Sequence, residues 1–439
     1  MIRHWIGNDS INCSKEAFLP TKVPWIIFLL LVVIFFVVQH NLFISLTKEV
    51  GFQSSEESMI GETIRGNLGH RVAFLMLGMF GLISLTRKSR NIFKINGSLG
   101  WIFIFFLAWA SSSIFWAEDT ALAFRRLVVL AMICLGTIAV IKRFSFRDII
   151  WFAFFSTSFY LIIGLLAEFV LGTFRPFAPG YRFTGTLHPN QQGMNCALLF
   201  LAGIAAAQTA KHGRKLFLIF AIIGLLFLIL TRSRAPFVSA ILALFAYWSL
   251  VSPSSRKFKF ILIGGFTFCL LLFLAGDALF PALKQAILLG RVDHYNTFSL
   301  TGRIPLWNEV LEYVARRPLL GYGYGAFWTP IHIFEFSLRR QNWAISGACS
   351  SYLEIALSLG LVGMIAYILM FIVGIRRSFV YYKVHLDSGY VFLGVLLIFC
   401  VLDGLLESGF SITSPGLLTF LMWVALVHLG FLTPDKHYR

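Results

Sequence analysis

The chain has 439 residues, 58% hydrophobic and only 13% charged, with a mean hydropathy of +0.79. A soluble domain carries roughly 25% charged residues, so the composition excludes a soluble globular fold and indicates an integral membrane protein. The net charge of +17 does not point to nucleic acid, because the basic residues sit in short loops between hydrophobic runs, as the positive-inside rule expects.

A membrane-crossing helix needs about 20 apolar residues, and on that basis the chain reads as about twelve spans. In order they are Val23–Leu46, Val72–Leu85, Leu99–Phe115, Leu127–Ile141, Ile149–Leu171, Gly193–Gln208, Leu216–Leu230, Pro236–Val251, Phe260–Phe280, Tyr352–Ile375, Val391–Phe410 and Leu417–Leu432. The first run is too long for a signal-peptide core and lacks a convincing cleavage site. The fold expected is therefore all-α, a polytopic helical bundle forming one integral membrane domain over 1–439. Its long hydrophilic interruption, the loop 281–351, falls between the ninth and tenth spans.

Basic clusters at 87–94, 142–147, 211–215, 256–259 and 376–383 all fall on one face by this count. That face is cytoplasmic, both termini lie inside, and the loop 281–351 faces outward, into the periplasm of a Gram-negative cell. The aromatic content of 16%, with 47 Phe, suits lipid-facing helices and interfacial belts. The six cysteines are scattered; they suggest neither a metal-ligand spacing nor a disulfide framework. No nucleotide loop, zinc box or G-x-S-x-G nucleophile elbow occurs, and no cofactor is expected.

Five groups of residues carry potential chemistry. Arg182 lies in Tyr181-Arg182-Phe183-Thr184-Gly185-Thr186-Leu187-His188-Pro189-Asn190, a loop shaped by Gly185 and Pro189. His188 reads as a base, a phosphate donor or a turn cap, and Asn190 and Asn195 as residues that fix the same loop. Arg232 and Arg234 sit between two hydrophobic runs with almost no loop, where charges need anionic partners. Arg303 ends the triplet Thr301-Gly302-Arg303, which opens the motif-bearing part of the loop. Arginine presents a planar fork of donors suited to phosphate oxygens, so several converging arginines would make a pyrophosphate clamp. Arg125, Arg126, Arg339 and Arg340 read instead as span-end residues that snorkel to headgroups. Asp403 and Glu407 share a helical face inside a hydrophobic run; such carboxylates are functional suspects, or groups that meet water or an arginine near the span end. Tyr322 and Tyr324, among Gly321, Gly323 and Gly325, offer an aromatic ledge for a sugar or lipid.

The motif Thr301-Gly302-Arg303, Trp307, Arg317-Pro318-Leu319-Leu320-Gly321-Tyr322-Gly323, then Ser351-Tyr352-Leu353-Glu354 and Gly360-Leu361-Val362-Gly363, resembles the O-antigen ligase and Wzy-type O-antigen and exopolysaccharide polymerase superfamily. Arg182 to Asn190, Ser233-Arg234 and Phe115-Trp116-Ala117-Glu118-Asp119 are similar to it too. The resemblance covers most of the chain from about residue 100.

It implies a metal-independent glycosyltransferase of surface polysaccharide biosynthesis in the bacterial inner membrane, with its active site facing the periplasm. Such proteins move a glycan from undecaprenyl pyrophosphate to an acceptor hydroxyl, on lipid A-core for a ligase or on another lipid-linked repeat for a polymerase. Arg182, Arg234 and Arg303 would then be the catalytic contacts to the pyrophosphate. His188, Asn190, Arg232, Tyr322, Glu354 and Glu407 would line the substrate site. The family's proposed base is a histidine where this chain has Cys349. Cysteine is a poor general base in that role, which leaves three readings open: another group such as Glu354 or His188 takes the proton, no strong base is needed, or the activity is altered. The difference leans the reading slightly towards polymerase and leaves ligase open. The implied partners are the lipid-linked donor and acceptor, membrane lipids and a polysaccharide-assembly complex. The competing readings are a transporter or flippase for lipid-linked sugars, and a non-catalytic partner in polysaccharide export. The concentration of charges near the outer side favours the transferase over a transport path across the membrane.

Overall fold

The computed structural model describes residues 25–39, 66–86, 93–178, 181–210, 212–251, 264–265, 303–339, 345–407 and 415–432. Among these residues the regular structure is helical, without a β-strand and with one isolated bridge between Phe93 and Leu432. The helices are α1 (Trp25–Gln39), α2 (Leu68–Thr86), α3 (Gly97–Ser112, extended by a 3-10 turn to Phe115), α4 (Thr120–Arg143), α5 (Phe146–Val170), α6 (Pro189–Thr209) and α7 (Arg214–Leu230). They continue as α8 (Arg234–Val251), α9 (Arg303–Arg316), α10 (Pro330–Leu338), α11 (Ser351–His385), α12 (Ser388–Asp403) and α13 (Leu417–Phe431). By length and composition, α2, α3 with its extension, α4, α5 and α11 could each cross a membrane.

Each expected span other than Phe260–Phe280 overlaps one of these helices in whole or in part, with 40–46 of the first span outside the described residues. That run lies outside the described residues except for 264–265, as do 281–302 and the basic clusters at 87–90 and 256–259. Several boundaries differ from expectation: the helix expected from Leu127 begins at Thr120, and the one expected to end at Ile375 runs to His385. Two other differences have a local cause. The second helix has 19 residues and begins at Leu68, because Asn67 supplies an acceptor for the Gly69 amide at 2.8 Å. The helix expected to reach Phe410 stops at Asp403, where Gly404 is a poor helix former.

Local chemistry explains several starts. Asp119 caps α4 through the Leu122 amide, and Ser145 forms a capping box with Asp148 ahead of α5. Pro189 and Pro330 sit in the first turns of α6 and α10, where a missing N–H costs nothing. Without a hydrophobic drive between helices in lipid, close packing depends on small residues. Gly78 and Gly81 of α2 face Met132 and Leu135 of α4, and Gly203 of α6 faces Ala221 of α7, each too close to admit a Cβ without movement.

The described part of the long loop, 303–339 and 345–351, is not irregular. Leu306, Val310 and Tyr313 lie at helical spacing on one face of α9. They form a separate aromatic core with Tyr322, Phe327, Trp328, Ile333 and Phe336. This core sits on the first half of α11, which is broken at Gly360 (φ 67°, ψ −171°). A helix break strands carbonyls, and in a membrane protein each needs an internal partner. Leu357 O accepts from Tyr322 N at 2.8 Å, Ser358 O from Gly323 N at 3.0 Å, and Leu359 O from Trp109 Nε1 at 3.0 Å. In return, Leu361 N donates to Pro318 O at 2.7 Å. The glycine-tyrosine run therefore seals a helix break.

Candidate functional site

Arg182 and Arg303 are far apart in sequence and meet through two intermediaries. Arg303, the first residue of α9, pairs with Glu407 Oε1 at 2.6 Å. The same oxygen accepts from Asn190 Nδ2 at 2.8 Å. Asn190 Oδ1 in turn accepts from an Arg182 terminal nitrogen and from Ser233 Oγ, each at 3.2 Å. The amide orientation is dictated by its neighbours, with the oxygen facing donors and the nitrogen facing the carboxylate. Arg182 Nε also donates to Thr231 O at 3.0 Å.

Each segment is held where it is needed. Glu168, buried at the end of α5, accepts from Thr184 N at 2.8 Å, Gly185 N at 2.8 Å and the Tyr181 hydroxyl. Phe183 is fully buried against Phe227 and donates its amide to Leu230 O at 2.9 Å. Arg182 is thus flanked by anchored neighbours. Gly185 has φ 58°, and a Cβ there would lie 2.8 Å from Gly164 Cα. The start of α6 presses on the next turn, because a Cβ on Gly193 would lie 2.9 Å from Ser233 Cβ. Arg232 adopts φ 50°, a conformation that non-glycine residues rarely hold and that concentrates at functional sites.

The segment bearing Cys349 is fixed from both sides. Ala348 O accepts from Trp307 Nε1 at 2.9 Å, and Ala348 N donates to Glu354. Ser351 N donates to Gly404 O at 2.9 Å, and Ser351 Oγ donates to Glu407 O at 3.0 Å. Cys349 itself has φ 50°. Burial, partly offset by the Arg303 charge, pushes its thiol up to about 11. It is therefore a neutral thiol near pH 7.

Burial works against the charge on Arg303, but Glu407 and the other nearby anionic groups outweigh it and hold the guanidinium as a cation. Burial raises the Glu407 carboxyl against the pull of Arg303, Arg182 and the Asn190 hydrogen bond. Arg234 and Arg303 are each the first residue of a helix, where the helix dipole disfavours a cation by about 0.3–1 kcal/mol. Helix stability does not explain either arginine.

The expected site residues divide into two sets. Arg182, Asn190, Arg303 and Glu407 form one hydrogen-bonded chain, and Arg232 and Arg234 flank Ser233, which joins it. His188 lies at the same edge with an exposed side chain, where its Nδ1 accepts from Asn190 N at 3.3 Å as the α6 cap. Asp403 is fully buried one turn before Glu407, within electrostatic reach of Glu407 and Arg303. The other set is structural in its contacts. Tyr322 is buried in the aromatic core and donates to Tyr313 O at 3.0 Å. Glu354 accepts from Trp328 Nε1 at 3.0 and 3.1 Å as well as from Ala348 N.

Two contributors escape the sequence reading. Ser233 stands out in the sequence only as a neighbour of arginines. Glu168 is not among the expected residues, although a carboxylate inside a hydrophobic run is the same signal that singles out Asp403 and Glu407. Among the described residues, no group of three or more His, Cys, Asp and Glu side chains is placed to hold a metal ion.

No curated protein matches the chain. Residues 219–368 match the family model described as O-antigen ligase. The matched stretch contains Arg232, Arg234, Arg303 and Cys349, while Arg182, Asn190 and Glu407 lie beyond it. With the helical fold and apolar spans, this match supports assignment of the chain to the O-antigen ligase and Wzy superfamily of membrane proteins.

Proposed function

We propose that this protein is a glycosyltransferase that moves a glycan from undecaprenyl pyrophosphate to an acceptor hydroxyl at the periplasmic face of the inner membrane. The observation that carries the reading is the convergence of Arg182 and Arg303 on the Asn190–Glu407 bridge. Arginines this close would repel each other; the bridge holds them together before any ligand arrives. A diphosphate offers oxygens to both guanidiniums, and a charge pair at 4 Å contributes about 4 kcal/mol at an effective dielectric near 20. Charge grows on the departing diphosphate as the glycosidic bond breaks, so fixed cations there lower the barrier. Arg232 and Arg234 adjoin Ser233, which donates to Asn190, and would add positive charge to the same edge.

The test is deletion in the native host, with complementation by wild type, Arg182→Ala and Arg303→Ala, followed by gel analysis of surface polysaccharide. Loss of chain length with one repeat retained assigns a polymerase. Accumulated full-length lipid-linked chains assign a ligase. Unchanged surface polysaccharide in the deletion strain, or full complementation by both alanine variants, refutes the proposal.

A further inference from the structure

We propose that Glu407 takes the proton of the acceptor hydroxyl, and that it becomes free to do so when the donor's diphosphate draws Arg303 away from it. This rests on the glycan-transfer reading above. In that reaction the acceptor oxygen bonds to the anomeric carbon of the donor sugar. The bond from that carbon to the diphosphate oxygen breaks, and its electron pair leaves with the diphosphate. The hydroxyl proton needs an acceptor at the site.

Protonation state and existing contacts set the other candidates apart. Cys349 is a half-buried thiol that is neutral near pH 7 and holds its own proton. Both oxygens of Glu354 are engaged by Trp328, and Ala348 N adds a third bond. Glu168 is committed to the backbone and hydroxyls of the Arg182 loop. His188 uses Nδ1 as the α6 cap.

Glu407 differs because its strongest partner is the group that a diphosphate would compete for. While Arg303 is 2.6 Å away, its charge opposes the protonation that burial favours. A diphosphate that shares or captures that guanidinium leaves a buried carboxylate with less positive charge beside it, and its proton affinity rises. The groups facing Glu407 are Arg303 from α9, Arg182 from the loop before α6, Asn190 from α6, Cys349 from the segment before α11, and Asp403. Donor binding thus produces the base only when there is something to attack.

Asp403 gives a second, independent observation. It is fully buried, and neither carboxyl oxygen has a hydrogen-bond partner among the described residues. Buried polar atoms in native folds are nearly always paired. Unused acceptor capacity beside Glu407 is complementary to a hydroxyl donor, and Asp403 is assigned as the residue that positions the acceptor.

The experiment uses membrane vesicles from the deletion strain, which hold the host's own donor and acceptor, and full-length variants. Transfer is followed by gel between about pH 5 and 8, and binding of undecaprenyl pyrophosphate to purified protein in nanodiscs is followed by native mass spectrometry. Glu407→Gln is expected to slow transfer at least ~100-fold while binding is unchanged or tighter, because Arg303 is released. A base must be unprotonated, so wild-type transfer falls as pH drops through the carboxyl's range. Glu407→Asp keeps a carboxylate, and is expected to transfer faster than Glu407→Gln and retain that acid limb. The inference is overturned if Glu407→Gln transfers within about threefold of wild type, if it loses binding together with transfer, or if Glu407→Asp is no faster than Glu407→Gln. Failure of the underlying reading looks different: wild type would not bind undecaprenyl pyrophosphate, or Arg303→Ala would bind it equally well.

Discussion

Gly360→Ala tests whether the α11 break is a built feature. The residue sits at φ 67°, ψ −171°, a region reserved almost wholly for glycine, where a side chain costs about 1–3 kcal/mol. An added Cβ would also lie 2.2 Å from Leu319 O and 2.7 Å from Leu320 N. Ordinary contact begins at 3.4 Å, so the loop and helix must part by about 1 Å. That strains the bonds from Tyr322 N, Gly323 N and Leu361 N across the break, each contributing about 0.5–1.5 kcal/mol. The combined loss is about 3–7 kcal/mol. Gly172 is the control, with φ 66° and nothing within 4 Å of an added Cβ; Gly172→Ala carries only the backbone penalty of about 1–2 kcal/mol. Thermal unfolding of the purified variants in one detergent compares them directly. The expected result is a fall in midpoint at least twice as large for Gly360→Ala. Equal falls would refute the account of the break.

Arg303→Lys keeps the charge but loses the planar fork, and is expected to lower transfer at least ~10-fold in vesicles; full activity would show that a point charge suffices. Glu168→Gln can no longer accept from every donor of the Arg182 loop as a charged carboxylate, so it should lower both the unfolding midpoint and transfer, and unchanged values would remove its anchoring role. With the other five cysteines replaced by alanine, alkylation of Cys349 by iodoacetamide should accelerate about tenfold per pH unit from pH 7 towards its value near 11, because only the thiolate reacts. A plateau near pH 8 would contradict a thiol raised this far. Cys349→His fits the left-handed backbone better than most residues and is expected to change transfer only a few-fold if Glu407 is the base; a rise of tenfold or more would show that the position lacks one.

Composition and hydropathy determined the helical membrane fold, because lipid forces every spanning backbone to satisfy itself within a helix. The sequence also singled out the arginines at 182, 232, 234 and 303 as candidates to grip phosphate oxygens. Tertiary structure decided what those residues face. Hydropathy carried the twelfth span's predecessor on to Phe410, yet Gly404 ends α12 and lets Glu407 turn to Arg303. Tyr322 and Glu354 stand in the same motif as Arg303, but their partners are Tyr313, Trp328 and Ala348, so a motif groups residues that fold and residues that face the site without distinguishing them. Glu168 and Ser233 act through contacts with distant segments. Such contacts depend on which helix ends meet at one edge of the bundle, and no periodicity along a single segment encodes that.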